Sequence, residues 1–217
     1  WISGDIAFAG RESEYNFALR WLKDHLCPAS GCNFNNIIVI PGNHDVNRGA
    51  ANAPMHRLAR RALRETPIHQ SNAKITEFVN SATSSDMLYA PIEYYNRFAA
   101  NFLCEIGFEN PTVGSKPYVV RDFELNDQST IRIWGFNSVL VCDADDDEKL
   151  MFIDPSAAQV VAREEGVVHM VMSHHPFNWL RNGAEFRERA EGVAKIHLFG
   201  HEHTLRVGRD VNYSRVR

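Results

Sequence analysis

Apolar runs that end in dense polar clusters dominate the pattern along this chain. The clearest is Ile37–Ile40, four consecutive β-branched residues that predict a buried strand. Pro41-Gly42 interrupts the run, and Asn43-His44-Asp45 follows at once. Loops at the carboxyl ends of strands in open α/β sheets diverge around a crevice where ligands bind. This stretch is therefore the first candidate site in the sequence.

Further strand and helix patterns alternate along the chain and predict an α/β fold. An amphipathic helix is predicted over Glu12–Leu26, and Pro28 and Gly31 end it. It connects a strand end at Trp1–Asp5 to the strand Ile37–Ile40, so the three elements form a βαβ unit. The later predicted strands are a hairpin of Tyr118–Leu125 and Thr130–Phe136, then Ser138–Cys142, Val167–Met172, Ala194–Phe199 and one or two within Thr204–Arg217. The later predicted helices are Ser156–Glu165 and Arg181–Glu191.

The segment from Ala50 to Gly107 has a mainly helical pattern, and we interpret residues 50–107 as a helical insertion or cap over the crevice. Arginines recur in it at helical spacing, as either a phosphate-facing basic surface or a solvated helix face. They are Arg57, Arg60, Arg61 and Arg64. A later acidic run, Asp143–Glu148, is interpreted as a solvated loop, since Glu148 stands where an EF-hand requires Gly.

Composition changes this picture little. The 217 residues are 44% hydrophobic and 23% charged, with a net charge of −4, so no global basic field demands nucleic acid. No apolar run approaches the roughly 20 residues that span a bilayer, and no signal-peptide pattern is present. Four cysteines are too sparse for a disulfide scaffold. Cys27 and Cys32 could pair or hold a metal, but free thiols in a cytoplasmic protein are the favoured interpretation.

Polar residues follow four of the predicted strands, and together they form a metal-site pattern. The clusters are Gly4-Asp5, Gly42–Asp45, His174-His175-Pro176 and Gly200–His203. Each alone could be a helix cap, a turn or a surface imidazole. Imidazole, carboxylate and amide groups collected at one sheet edge indicate Mn, Fe, Zn or Co rather than Mg or Ca.

In order and strand context, these motifs (GD, GNHD, H-x-P and GHxH) resemble those of the calcineurin-like metallophosphoesterases over nearly the whole chain. The resemblance implies an α/β fold with a two-sheet sandwich flanked by helices. It also implies a dinuclear centre of two divalent transition-metal ions, with manganese favoured. His174 is preferred to His175 as a ligand because the family's ligand histidine is followed one residue later by Pro.

The resemblance also assigns a role to each candidate residue. Asp5 would bridge both metals, one of which would also be held by Asn43, His174 and His201. His203 would bind the other metal. His44 would face the substrate as a catalytic residue, and Asp45 would orient the His44 ring.

The family's first motif, an Asp-x-His upstream of Gly4-Asp5, does not occur in this sequence. We interpret residues 1–217 as one domain truncated at the N-terminus, because the missing strand would be internal to the sheet. The end at Arg217, soon after GHxH, suggests truncation at the C-terminus as well. A degenerate single-metal relative is the alternative. Further domains of a longer chain are compatible with either interpretation.

The implied function is metal-dependent hydrolysis of phosphate esters. A phosphodiesterase acting on a nucleotide or nucleic acid is favoured, because the arginine-bearing segment suits a large anionic substrate. The alternatives are a phosphomonoesterase acting on a protein or small molecule, and a non-catalytic interaction module on the same fold. No membrane partner is expected.

Overall fold

The computed structural model describes residues 1–107, 116–143, 145–159 and 163–203. Within these ranges four strands form one mixed sheet in the order β1-β2-β3-β4. They are β1 Tyr118–Glu124, β2 Thr130–Phe136, β3 Val167–Ser173 and β4 Ile196–Phe199. The β1–β2 pair is the predicted antiparallel hairpin, whereas β2, β3 and β4 are parallel. The parallel strands therefore bring their carboxyl ends to one edge of the sheet.

The predicted two-sheet sandwich is not confirmed, since the described residues contain this one sheet. Ile37–Ile40 is fully buried, but it pairs with the N-terminal segment at a single parallel bridge between Ile2 and Val39. The N–H of Ile2 donates to the Ile38 carbonyl at 2.9 Å, and the N–H of Ile40 donates to the Ile2 carbonyl at 3.1 Å. Pairing stops there because Gly4, at φ +102°, turns the chain out of the extended conformation.

Eight α-helices accompany the sheet in the described residues. They are α1 Glu12–Trp21, α2 Cys27–Ser30, α3 Arg48–Ala51, α4 Pro54–Glu65, α5 Ile68–Asn80, α6 Ala82–Tyr89, α7 Glu93–Ala99 and α8 Gly183–Val193. The helical character predicted after Ala50 is therefore present in α3 to α7, and its role as an insertion or cap remains a prediction. No helix in the described ranges is long and apolar enough to cross a membrane.

Pro28 does not end the first helix as predicted. A π-helical turn over Leu22–Leu26 joins α1 to α2, and the Cys27 N–H donates to the Leu22 carbonyl five residues back. Pro28 is the second residue of α2 and follows directly on this π-helical turn and Cys27. The helix does end at Gly31, as predicted, and that residue has φ +68°.

Two further predictions fail because side chains bond locally to the backbone. Residues 138–142 form a buried turn rather than a strand, and the Asn137 side chain accepts the Val139 N–H at 2.9 Å. The predicted helix at 156–165 is, in the described residues, a 3₁₀ helix over Pro155–Gln159, where Asp154 accepts the Ser156 N–H. Residues 160–162 and the strands predicted within Thr204–Arg217 lie outside the described residues.

Neither interpretation of the arginines holds for Arg60 and Arg64. Arg60 is 1% exposed and donates to the backbone carbonyls of Met87 and Leu88. Arg64 is also largely buried and forms ion pairs with Asp143 at 2.9 Å and Asp146 at 2.7 Å. Arg60 therefore connects α4 to α6 within the helical region, and Arg64 connects α4 to the acidic run, so neither faces phosphate.

The acidic run is correspondingly not a purely solvated loop. Asp143 and Asp146 are nearly buried against Arg64, whose guanidinium also donates to the Val141 carbonyl at 2.7 Å. Burial raises the pKa of Asp146, and the hydrogen bond that Asp146 accepts from the Asp143 N–H partly offsets this increase. The remaining described members of the run, from Asp145 to Glu148, are exposed apart from Asp146.

Candidate metal centre

Four predicted ligand atoms meet where the bridged N-terminal segments lie beside the ends of β3 and β4. His174 Nε2 is 2.9 Å from Asn43 Oδ1, 3.3 Å from His201 Nδ1 and 3.5 Å from Asp5 Oδ1. His201 Nδ1 is in turn 3.1 Å from Asn43 Oδ1. Residues as far apart in sequence as Asp5 and His201 therefore present oxygen and nitrogen atoms to one point.

The four atoms that meet at this point are mainly hydrogen-bond acceptors. The carbonyl of Ser3 lies 2.8 Å from His174 Nδ1 and can only accept, so Nδ1 carries the proton and Nε2 presents a lone pair. Asn43 Oδ1 and the Asp5 carboxylate are acceptors as well. Among themselves these four atoms can share at most one proton, on His201 Nδ1, and the only other donor among the described residues is the His44 N–H, which reaches Asp5 Oδ1. A divalent cation would satisfy the lone pairs that remain. The donor set therefore fits a metal ion.

Burial keeps the imidazoles in the form that binds metal. Desolvation lowers the pKa of His174 below the ordinary histidine value, and the nearby Asp5 carboxylate opposes this effect. Desolvation likewise lowers the pKa of His201. Both rings are therefore neutral near pH 7, with a nitrogen lone pair free for coordination.

The glycines of the motifs allow this close approach. A Cβ on Gly42 would lie 2.3 Å from Asp5 Oδ1, and a Cβ on Gly4 would lie 2.6 Å from the Gly42 backbone. At the other motif, a Cβ on Gly200 would lie 2.7 Å from the Ser3 carbonyl. Any larger residue at these positions would separate the segments that carry the ligands.

Two of the four converging residues have left-handed backbone conformations that are uncommon outside glycine. Asp5 has φ +56° and His201 has φ +64°. Such conformations cost free energy, persist where the surroundings enforce them, and cluster at functional sites. Here each one turns the side chain back toward the other ligands immediately after a strand or bridged segment.

His44 lies beside this cluster with one ring nitrogen already committed. Its Nδ1–H donates to the Phe8 carbonyl at 2.9 Å, and its ring lies 5.6 Å from the Phe8 ring at an interplanar angle of 28°. The His44 backbone N–H donates to Asp5 Oδ1 at 3.0 Å. The ring Nε2 is consequently the nitrogen left for a substrate.

Asp45 does not orient the His44 ring, contrary to the prediction. Its carboxylate points inward and accepts four hydrogen bonds, from the backbone N–H groups of Gly42, Ala7 and Ile6 and from the hydroxyl of Tyr15. Burial raises the pKa of Asp45 to about 6, although these four donors each lower it. Asp45 therefore ties the GNHD loop to the segment after Asp5, and the Phe8 carbonyl positions His44.

Two histidines differ from their predicted roles: His203 lies outside the histidine cluster, and His175 lies within it. His203 is exposed, and the described cluster of three histidines does not include it. His175, which the sequence argument set aside, is fully buried and belongs to that cluster, in which the ligand atoms of His174, His175 and His201 lie within 4.8 Å of one another. Ser138 Oγ lies 2.9 Å from His175 Nδ1.

Sequence reasoning also missed residues that act through the backbone or across the fold. Ser3 and Phe8 contribute carbonyl oxygens, and a carbonyl leaves no signal in residue identity. Tyr15 lies in the predicted amphipathic helix and its ring is buried, but its hydroxyl lies 3.0 Å from Asp45 Oδ1. Ser138 was assigned to a strand, and nothing in its sequence neighbourhood indicates the contact with His175.

An α/β fold with carboxylate, amide and imidazole groups converging at strand ends fits the class of proteins that bind divalent metal ions. A family model described as calcineurin-like phosphoesterase matches residues 1–205. The chain therefore belongs to the calcineurin-like phosphoesterase family, and it is a phosphoesterase that uses divalent metal ions to hydrolyse phosphoesters. Comparison with curated proteins and comparison with solved structures gave no match.

Proposed function

We propose that this phosphoesterase is a phosphodiesterase of nucleotides or nucleic acid, with a dinuclear centre of transition-metal ions in which manganese is favoured. The convergence of Asp5, Asn43, His174 and His201 on one point carries the proposal. These four residues would hold the first metal. Asp5 and His203 would contribute to the second.

Bound metal ions would stabilise charge on the phosphoryl oxygens and supply a nucleophilic water at neutral pH. The protein's own contribution is to hold the ligand atoms in place before a metal or substrate arrives. Ser3 fixes the tautomer of His174 through its carbonyl, and the Asp5 carboxylate is held by the His44 N–H at 3.0 Å. Second partners of this kind orient metal ligands and sustain their affinity.

His44 has the arrangement of a general acid. Because its Nδ1–H is bonded to the Phe8 carbonyl, a second proton on the ring resides on Nε2, which no hydrogen bond within the described residues occupies. From there the proton can pass to the leaving oxygen as its bond to phosphorus breaks. Proton transfer by a positioned side chain contributes about 10²- to 10⁴-fold to rate.

The charge around the site favours a diester over a monoester. In the described residues, the hydrogen bonds and ion pairs of Asp5, Asn43, His44, His174 and His201 involve no arginine or lysine. A diester carries one negative charge and a monoester up to two, so candidate ligands that contact no basic side chain in the described residues suit the diester better. Arg60 and Arg64 are committed elsewhere and no longer support this preference.

Three variants test the proposal: Asn43→Ala, His44→Ala and, as a control, His69→Ala on an exposed surface. Metal-free full-length protein is reloaded with Mn²⁺, Fe²⁺, Zn²⁺ or Co²⁺. Its metal content is measured by mass spectrometry, and its turnover is measured with bis-p-nitrophenyl phosphate and p-nitrophenyl phosphate. We expect Asn43→Ala to lose metal and turnover together. His44→Ala should keep its metal and lose about 10²- to 10⁴-fold in turnover.

Each alternative gives a different result. Preferential hydrolysis of the monoester would establish a phosphomonoesterase, and one metal ion per chain would exclude the dinuclear centre. Metal binding without turnover of either substrate would favour the interaction module. Loss of metal in His44→Ala would overturn the assigned role of His44.

A further inference from the structure

Phe8 is a large apolar side chain left in solvent beside the candidate metal centre. Its side chain is 79% exposed, the highest value among the large exposed hydrophobic residues described. Its ring lies nearly parallel to that of His44 with 5.6 Å between centroids, and its carbonyl accepts the His44 Nδ1–H. The ring therefore stands beside the imidazole whose Nε2 would meet a leaving group.

The loop that carries Phe8 is anchored on both sides. Before it, the N–H of Ala7 donates to Asp45 at 2.9 Å, and after it the N–H of Ala9 donates to Glu14 at 3.1 Å. Gly10 is packed so closely that an added Cβ would lie 2.7 Å from the Asn47 N atom. The exposed ring is thus presented from a fixed backbone, which suits a binding surface.

The exposed ring is not needed to position His44. Phe8 holds His44 Nδ1 through its backbone carbonyl, which any residue at that position would supply. The ring instead offers an open aromatic face at the edge of the site. Aromatic side chains beside such sites stack on the planar bases of nucleotides with little dependence on base identity.

We propose that Phe8 is a specificity residue that stacks on an aromatic group of the substrate, such as a nucleobase, on the leaving-group side of the phosphoester. This inference rests on the proposed function, because it places that phosphoester at the metal centre next to His44. Loss of one base-stacking contact is expected to weaken binding by about 5- to 150-fold.

The test compares two ligands that differ by the base alone, adenosine 5′-monophosphate and ribose 5-phosphate. Calorimetric titration of the manganese-loaded protein should show that the nucleotide binds about 5- to 150-fold more tightly. Phe8→Leu should abolish that preference, because it should weaken binding of adenosine 5′-monophosphate and leave binding of ribose 5-phosphate unchanged. Phe8→Trp should retain it, as should the control Phe17→Leu, which alters a residue 64% exposed on α1.

Three results would overturn the inference: equal affinity of the wild type for both ligands, binding of neither ligand, or a preference that survives in Phe8→Leu. The readout is binding, so it separates this inference from the proposed function. A Phe8-dependent nucleotide preference without phosphodiester hydrolysis would retain the stacking role and reject the phosphodiesterase. Hydrolysis of bis-p-nitrophenyl phosphate without that preference would support the phosphodiesterase and reject the stacking role of Phe8.

Discussion

Replacing Tyr15 with Phe removes one hydroxyl that connects α1 to the GNHD loop. The Tyr15 hydroxyl donates to Asp45 Oδ1 at 3.0 Å, and both groups are buried. Burial raises the pKa of Tyr15, so the hydroxyl remains a donor across the accessible pH range. The aromatic ring stays in place in the variant and keeps its packing against Phe98, at 5.3 Å between centroids.

The expected cost follows from the charge on Asp45. A hydrogen bond to a buried charged group contributes about 1.5–3 kcal/mol, so Tyr15→Phe should lower the free energy of unfolding by that amount at pH 8. The three remaining backbone N–H groups still donate hydrogen bonds to the Asp45 carboxylate, so the loop should not open. Loss of a hydroxyl without such a partner should cost far less.

The cost should also depend on pH. The pKa of Asp45 is about 6, and the Tyr15 hydrogen bond lowers it, so the variant has a higher Asp45 pKa than the wild type. As the pH falls through about 6, the variant binds a proton first and regains stability relative to the wild type. The difference between the two proteins is therefore largest above pH 6 and shrinks below it.

Equilibrium unfolding of the metal-free proteins in urea at pH 8 and pH 5 measures both effects, provided that the denaturant slope is unchanged. The matched control is Tyr118→Phe, because burial alone raises the pKa of Tyr118 and its hydroxyl has no hydrogen-bond partner among the described residues. If the free energy of unfolding of Tyr15→Phe at pH 8 lies within about 0.5 kcal/mol of the wild-type value, the assigned hydrogen bond is refuted. A cost that is the same at both pH values would refute its link to Asp45.

Two further predictions concern the ion pairs of the helical region and the glycine packing of the site. Arg64→Ala should lower the free energy of unfolding by about 3–5 kcal/mol, because it leaves two nearly buried carboxylates without a cationic partner. Arg61→Ala, which breaks an exposed ion pair, should cost under about 1 kcal/mol, and equal costs for the two variants would contradict the role of burial. Gly42→Ala should weaken manganese binding in calorimetric titration by about 10- to 100-fold, since its Cβ would collide with Asp5. Gly192→Ala, whose Cβ would meet nothing within 4 Å, should leave binding unchanged, and unaltered affinity in Gly42→Ala would show that the ligands do not need this close approach.

Much of the sheet and the composition of the site could be predicted because both depend on local pattern. The apolar run before His174 and the hairpin ending at Phe136 are strands in the structure within one or two residues of their predicted bounds. Polar residues that directly follow such strands must lie at the sheet edge, whatever the rest of the fold does. This is why Asn43, His174 and His201 could be grouped from sequence before their distances were known.

Contacts between distant segments required the tertiary structure. Asp45 was paired with its sequence neighbour His44, yet three of its four hydrogen-bond partners lie 30 to 39 residues away. Arg64 was interpreted as a surface charge, but its acidic partners lie 79 and 82 residues along the chain. Hydrophobic periodicity indicates which face of an element is buried, but it does not indicate which polar group on another element meets that face.

The sequence by itself determined the alternation of strands and helices, the ligand types at each strand end and the glycines between them. These follow from side-chain volume, backbone freedom and apolar spacing, which are properties of neighbouring residues. The tertiary structure alone decided that Phe8 holds His44, that Asp45 holds the loop, and that His175 lies in the histidine cluster while His203 lies outside it. Those outcomes depend on how separate segments pack, because hydrogen-bond partners are chosen by position in space rather than by order along the chain.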